Sequence, residues 1–413
     1  MRVLIINSDS PRNRGDRAIL AGLIETVRGR WPDASIWSLS QYAERDEEWF
    51  GIRFLPVSPY SVNPLDLLRL LRFARRFDVV LWGGGEILKD YTNQAGLVYW
   101  AMKMLFVSWV NPRLYGAYQG IGPTRAATSK RLIRFAADRT RGFLVRDAES
   151  RQKLVDWGVR APVVESYDPA VAAPVAEWND ALAARVATAL DVEPGFLGDM
   201  LGVGVRRWFH YKQGAVLPFA LRRRSAVESE GPEFARYRDA LVELIDREME
   251  RRGGTVLFFP MHMSASEGDD ALAHDIISRL RSPERARVLD ADVLSPAEFT
   301  ALVGRCRAFL ASRLHSAILA AVAGVPATVL YYVDKGRLFF EQLGLQELSR
   351  PIDILLEDGA VDEVEGLIER LYVDREAITG RLRERLGEMT DRVSADFAAV
   401  VPGRVPASGD ATN

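Results

Sequence analysis

Short apolar runs alternate with amphipathic stretches along the chain, and after an interruption the alternation begins again. In the first half Arg2–Asn7, Ser35–Leu39, Val79–Trp82, Arg113–Gln119, Gly142–Val145 and Val163–Glu165 read as strands. Asp16–Arg30, Pro64–Arg75, Lys130–Arg139 and Ala148–Trp157 read as helices between them, with Gly158 where a helix C-cap belongs. Val171–Met200, which includes Pro174, Pro194 and Gly195, loses the rhythm. It resumes with strands at Leu201–Val205, Thr255–Phe259, Ala286–Leu289, Ala308–Ala311 and Ala327–Tyr331. Helices at Pro232–Arg252, Asp269–Leu280, Pro296–Arg305 and Leu314–Ala323 separate them, and the remainder to about Ala399 reads as mostly helical. Strands alternating with helices favour a parallel sheet covered on both faces. At 413 residues the chain exceeds what one core usually spans. The expected architecture is therefore α/β, with two Rossmann-like domains facing across a cleft. Residues 1–175 and 201–402 form the domains, 176–200 the connection, and 403–413 a disordered tail.

Composition narrows the function classes. With 48% apolar and 27% charged residues, wholesale disorder, a collagen-like fibre and a multi-span membrane protein are excluded. A net charge of −2 carries no basic excess that would signal nucleic acid. The single Cys306 excludes an intrachain disulfide framework and a cysteine-rich zinc site. The N-terminal apolar run is too short for a signal-peptide core, and cytoplasm is the expected location. Leu97–Val110 is the longest apolar stretch, broken by Lys103 and short of a spanning helix. It reads first as a buried helix. With Tyr99, Trp100, Phe106 and Trp109 it also offers an interfacial patch, so a peripheral contact at the inner membrane face stays open.

Ligands of such sheets sit outside the carboxyl ends of the strands, and four strand-to-loop junctions carry suitable chemistry. The first runs from Asn7 to Asp16, through Asn13 and Gly15, and is neither a Walker A nor a G-x-G-x-x-G sequence. It reads equally as substrate contact or as a loop ending in an Asp16 N-cap. The second, Gly83-Gly84-Gly85-Glu86, lets a ligand approach the backbone closely, or simply makes a tight turn. The third places Arg206 and Arg207 at a strand end beside Trp208, His210 and Tyr211, where a guanidinium can clamp a phosphate or carboxylate. The fourth, Ala311-Ser312-Arg313-Leu314-His315, sets an arginine and a histidine where a helix begins, a position that attracts anions. His315 is the side chain suited to exchange protons near neutral pH. His262 also follows a strand and reads as cleft lining, whereas His274 reads as a surface or capping residue. The sequence has no H-E-x-x-H, His/Cys cluster, EF-hand or G-x-S-x-G motif, so neither a metal nor a serine nucleophile is expected.

Together these segments resemble the polysaccharide pyruvyl transferase family. The resemblance runs through Gly15-Asp16-Arg17-Ala18-Ile19-Leu20, Gly83–Leu88 with Asp90, and Gln119-Gly120-Ile121-Gly122-Pro123. It continues through Val145-Arg146-Asp147-Ala148-Glu149-Ser150, Tyr167-Asp168-Pro169-Ala170, and Arg313-Leu314-His315 with Gly324-Val325-Pro326. Arg17 departs from the acidic residue common there, which puts local charge pairing and the acceptor contact in question. The resemblance implies a GT-B-like architecture and transfer of the carboxyvinyl carbons of phosphoenolpyruvate to two sugar hydroxyls as a cyclic ketal. It implies no cofactor, a sugar or lipid-linked saccharide acceptor and a role in cell-surface polysaccharide synthesis. His315 and Arg313 would be catalytic. Arg206, Arg207, Arg313, Leu314 and His262 would hold the donor on the second domain. Asn13, Gly15, Asp16, Gly83, Gly84, Gly85, Glu86, Asp90 and Gln119 would line the acceptor side on the first. A nucleotide-sugar glycosyltransferase and a non-catalytic sugar-binding protein of the same fold stay open, as does a homo-oligomer.

Overall fold

The computed structural model describes residues 1–6, 13–91, 93–207, 231–263 and 267–403. The polar loop from Asn7 to Arg12, the residues Trp208, His210 and Tyr211, and the tail from residue 404 lie outside the described residues.

Among the described residues thirteen strands form two sheets. The first contains β1 (Arg2–Ile6), β2 (Ser35–Leu39), β3 (Arg53–Leu55), β4 (Val79–Gly83), β5 (Leu114–Gln119), β6 (Phe143–Val145) and β7 (Val163–Glu165), ordered β3-β2-β1-β4-β5-β6-β7. The second contains β8 (Met200–Gly204), β9 (Thr255–Phe258), β10 (Ala286–Val288), β11 (Cys306–Ala311), β12 (Ala327–Tyr331) and β13 (Ser349–Pro351), ordered β10-β9-β8-β11-β12-β13. All pairings are parallel. The central strands are buried on both faces, which is why Val3–Ile6 and Val79–Trp82 are continuous apolar runs without alternation.

The described helices of the first half and its connection are α1 (Arg14–Arg30), α2 (Ala43–Phe50), α3 (Pro64–Ala74), α4 (Gln94–Val110), α5 (Ala127–Ala137), α6 (Ala148–Asp156) and α7 (Asp180–Leu190). The second half adds α8 (Pro232–Arg252), α9 (Asp269–Ile277), α10 (Pro296–Val303), α11 (Leu314–Val322), α12 (Lys335–Gln342), α13 (Ala360–Val373) and α14 (Arg375–Val400). Gly158 adopts φ +74 just past α6, as a helix-ending glycine does.

The chain leaves β1 for β2 and β3 and then returns to β4; it leaves β8 for β9 and β10 and returns to β11. Each reversal opens a crevice at the carboxyl ends of the central pair, where such sheets bind ligands. The four junctions singled out in the sequence follow β1, β4, β8 and β11, the four strands that flank these crevices.

Some elements differ from expectation. The three-residue strands β3 and β13 lie at sheet edges and carry too little pattern to announce themselves. The connection contains α7, whose Arg185 pairs with Glu298 of the second half. The final helix α14, read with the second half, begins on it, with Thr379 Oγ1 and Arg385 donating to the Gly324 and Gln342 carbonyls (3.3 and 2.8 Å), and ends against the first. Tyr118 Oη donates to the Val393 carbonyl (2.6 Å), and the rings of Trp31 and Phe397 meet edge to face at 5.7 Å. Helical periodicity reports a buried stripe but not which sheet covers it.

Candidate active site

The start of α1 is an interdomain seam. Asn13 caps the helix, its Oδ1 accepting from the Gly15 and Asp16 amides at 3.1 and 3.3 Å. The expected Asp16 cap is thus corrected to Asn13; Asp16 is buried in the first turn. Asn13 also bridges to His262, and the Arg14 amide donates to the Met261 carbonyl at 2.9 Å. The Arg14 guanidinium donates to the carbonyls of Pro260, Leu289 and Ala291 and stacks over Phe299. Burial lowers its pKa to about 10 against the opposing pull of Asp292. Arg17, the departure from family pattern, pairs with buried Asp46 (2.8 Å) and reaches Asp292 across the seam (3.0 Å). Its charge belongs to interdomain packing.

The glycine run is a packing seat. A Cβ on Gly84 would lie 1.9 Å from Ile19 Cγ2, and one on Gly83 would lie 2.9 Å from Leu23 Cδ1, so both glycines let α1 sit on the sheet. Gly84 and Gly85 also adopt positive φ, +42 and +79. Gln119 is fully buried and donates to the Gly84 carbonyl (2.9 Å), while the Gly85 carbonyl accepts from Gly120 (2.9 Å). Asp90 accepts from the amides of Arg125 and Ala126 and shapes the approach to α5.

On the second domain Arg206 and Arg313 do converge. Their Nη2 atoms lie 3.3 and 2.8 Å from the same Glu267 Oε2. Arg313 also holds buried Asp269 (2.6 Å), and Arg206 lies over the Tyr332 ring, 3.9 Å from its centroid. Burial works against the Arg313 charge, but Asp269 and Glu267 outweigh it and raise its pKa. The Asp269 carboxylate accepts from the backbone amide of His262 (3.0 Å). Burial, then Arg313 and Arg206, lower the His262 imidazole to about 3, so it is neutral at physiological pH. Arg207 is placed elsewhere, over the Phe234 ring of α8 (5.4 Å). His274 is exposed and pairs with Asp290.

Arg313 is the N-cap of α11, so His315 stands in that helix's first turn. Its imidazole packs on Gly15 at the first turn of α1: a Cβ there would lie 2.5 Å from His315 Nδ1. On the other side Nε2 lies 3.4 Å from Asp168 Oδ2, an ion-pair distance without hydrogen-bond alignment. Among the described residues this buried Nε2 has no hydrogen-bond partner. Arg146 donates to the same Asp168 oxygen at 2.7 Å. Burial alone would raise Asp168, but His315, Arg146 and the Ala170 amide hold it well below the usual carboxylate range.

Glu86, the acid after the glycines, faces Lys89 (3.2 Å), Arg146 (3.9 Å) and Lys335 of the second domain. Leu314 lines a small pocket with Arg146, Asp168 and Lys335. Burial lowers the Lys89 pKa, with Tyr332 opposing and Arg206 adding to it, so its ammonium joins the two clusters electrostatically. Arg146, Asp168, Lys89 and Lys335 were not among the expected site residues. The first two follow β6 and β7, a strand-end position that could have flagged them.

Two parallel sheets with charged side chains meeting across their carboxyl-end crevices define a GT-B-like two-domain α/β protein. Anabaena Alr3699/HepE, solved in complex with UDP-glucose, shares this fold with TM-score 0.58 and 14% identity, covering 97% of this chain and 99% of that one. E. coli ADP-heptose lps heptosyltransferase II gives TM-score 0.52 and 16% identity, covering 91% of this chain and 100% of that one. Within that class the chain belongs to the polysaccharide pyruvyl transferase family, whose model matches residues 13–334. The amylovoran biosynthesis protein AmsJ of Erwinia amylovora is similar from end to end, 20% identical over 448 residues and covering 96% of this chain and 99% of that one.

Proposed function

We propose that this chain transfers a pyruvyl group from phosphoenolpyruvate to two hydroxyls of a sugar as a cyclic ketal, in the synthesis of a cell-surface polysaccharide or glycoconjugate. The observation that carries this reading is the convergence of Arg206 and Arg313 on one carboxylate oxygen, Glu267 Oε2, with His315 in the first turn of the helix that Arg313 caps. A carboxylate already occupies the point at which two guanidiniums meet, and a donor phosphate or carboxylate is the natural substitute.

In this reading the donor's anionic groups displace Glu267 and sit at the start of α11, where helix amides add to the arginines. His315 delivers a proton to the methylene carbon, converting it to a methyl group and leaving an oxocarbenium-like carbon. A sugar hydroxyl adds to that carbon and releases its proton; phosphate departs with its C–O bond electrons. A second hydroxyl closes the ketal and releases the second proton. Asp168, which accepts from Arg146 at 2.7 Å, lies 3.4 Å from Nε2 and positions the imidazole. Arg206 and Arg313 stabilise the departing phosphate. His262, half-buried and neutral at physiological pH, serves only as a hydrogen-bonding group.

The test is incubation with phosphoenolpyruvate and a panel of nitrophenyl and lipid-linked sugars. A product whose mass matches a pyruvyl ketal, formed with stoichiometric phosphate, supports the reading. Thermal stabilisation by a UDP-sugar but not by phosphoenolpyruvate, with no ketal formed, would sink it in favour of glycosyl transfer.

A further inference from the structure

We propose that the face formed by α3, α4 and α5 docks on an anionic lipid bilayer. The three helices lie side by side on one side of the first sheet, with α4 in the middle. A helix that is apolar all round is ordinarily enclosed, yet α4 is open on one side: Val98 is 49% and Trp109 61% exposed, with Met102 and Phe106 between them on the same stripe. Its one charged side chain, Lys103, turns inward and donates to the Pro59 carbonyl at 2.6 Å, so the outward stripe carries no charge. On α3, Leu65 and Leu68 are 62% and 55% exposed. Between α3 and α4 opens a cavity of about 230 Å³, lined by Val57, Val62, Leu67, Val98, Met102 and Phe106. Of the aromatic patch expected from the sequence, Trp100 is buried and Tyr99 is tied to the Pro59 and Ser61 carbonyls; Phe106 and Trp109 are what remains for an interface.

Charge identifies the occupant. Residues 64–76, 94–113 and 127–141 contain eleven Lys and Arg but only two Asp and Glu, in a chain whose net charge is −2. Arg69, Arg72, Arg75, Arg131, Arg134 and Arg139 are exposed around the apolar stripe. Both acids are already paired, Asp66 with Arg69 and Asp138 with Arg134 and Arg160. An apolar stripe flanked by arginines matches the acyl region and headgroups of an anionic leaflet. A second copy laid on this face would bring like charges together. No helix among the described residues is long and apolar enough to cross a membrane, so this contact is peripheral.

The test is sedimentation of the full chain with mixed phosphatidylglycerol–phosphatidylcholine vesicles and with pure phosphatidylcholine vesicles, without donor or acceptor. The result therefore stands apart from the proposed transfer reaction. Binding to the mixed vesicles is expected, with release in high salt and little binding to phosphatidylcholine alone. Arg72→Gln with Arg75→Gln should weaken it roughly 30-fold, from about a fivefold loss per cation. Trp109→Ser should weaken it while leaving the unfolding temperature close to that of the parent. Three outcomes overturn the proposal: no sedimentation with the mixed vesicles, equal binding to both vesicle types in high and low salt, or a solution dimer that Trp109→Ser dissociates. Should a variant fail to fold, salt release of the parent chain decides the matter alone.

Discussion

His315 Nε2 lies 3.4 Å from Asp168 Oδ2, joining the helix after β11 of one sheet to the loop after β7 of the other. The imidazole is thus held at the domain seam, with a carboxylate on one side and the Gly15 backbone on the other. If His315 supplies the proton to the donor, His315→Ala is expected to cut turnover by about 10²–10⁴-fold, with an unaltered circular dichroism spectrum. Steady-state kinetics on the purified variant check this, and retained turnover would remove the residue from the mechanism.

Asp168 and Arg146 form a buried ion pair (2.7 Å), and removing one partner strands the other. Asp168→Ala is expected to cost about 3–5 kcal/mol in denaturant unfolding, and Asp168→Ala with Arg146→Met should recover part of the loss. The sign with pH follows from the depressed pKa of the folded carboxylate. Its stabilisation is complete above the unfolded value of about 3.9 and disappears as pH falls through the lower folded value. A double variant no more stable than Asp168→Ala would contradict the stranded-charge account.

Glu267 competes for the anion position between Arg206 and Arg313. Replacing it with Gln keeps the shape and removes the charge that a donor must displace. Glu267→Gln is expected to lower the KM for phosphoenolpyruvate by roughly five- to tenfold, the worth of one ordinary net hydrogen bond. Initial-rate kinetics and the donor-induced shift in Tm read this directly; a raised KM would mean that Glu267 positions the arginines instead.

The four chemistry-bearing junctions were legible in the sequence because parallel strands end abruptly in polar residues, and a restarted rhythm locates two sheets. The partners of those residues were not. Nothing local marks Glu267 as the acid shared by Arg206 and Arg313, because the three come from loops of different strands. Gly83 and Gly84 read first as a ligand-facing cradle and second as a tight turn, and only the approach of Ile19 and Leu23 reveals their packing duty. Arg17 read as a change in local charge pairing or in the acceptor contact, and the structure shows the pairing. Its partner Asp292 lies 275 positions away, a distance no spacing rule spans.

His262 gives the acid side of the stability curve a definite sign. Burial, Arg313 and Arg206 hold its folded pKa at about 3, whereas an unfolded histidine titrates near 6.5. As pH falls from about 6.5 the unfolded chain takes up a proton that the folded chain refuses until about pH 3, so stability falls by roughly 1.4 kcal/mol per pH unit across that window. His262→Gln should flatten this limb in urea unfolding series run at several pH values. An unchanged slope would show that other groups set it.

Gly84 is the position at which backbone freedom and packing coincide. Its φ is +42, and an added Cβ would fall 1.9 Å from Ile19 Cγ2, an atom of a fully buried, β-branched side chain on α1. Gly84→Ala must therefore adopt a left-handed backbone and displace α1 at once. The expected cost is about 2–5 kcal/mol, from roughly 1–2 for the backbone and 1–3 for overpacking. A second change separates the two causes. Ile19→Ala opens the space, so Gly84→Ala made on that background should lose only the backbone part, and a double-mutant cycle in denaturant unfolding measures the difference. If the glycines served instead as an anion cradle, Gly84→Ala would lose only the backbone part of that stability and raise the KM of a substrate, an outcome that the contact with Ile19 argues against.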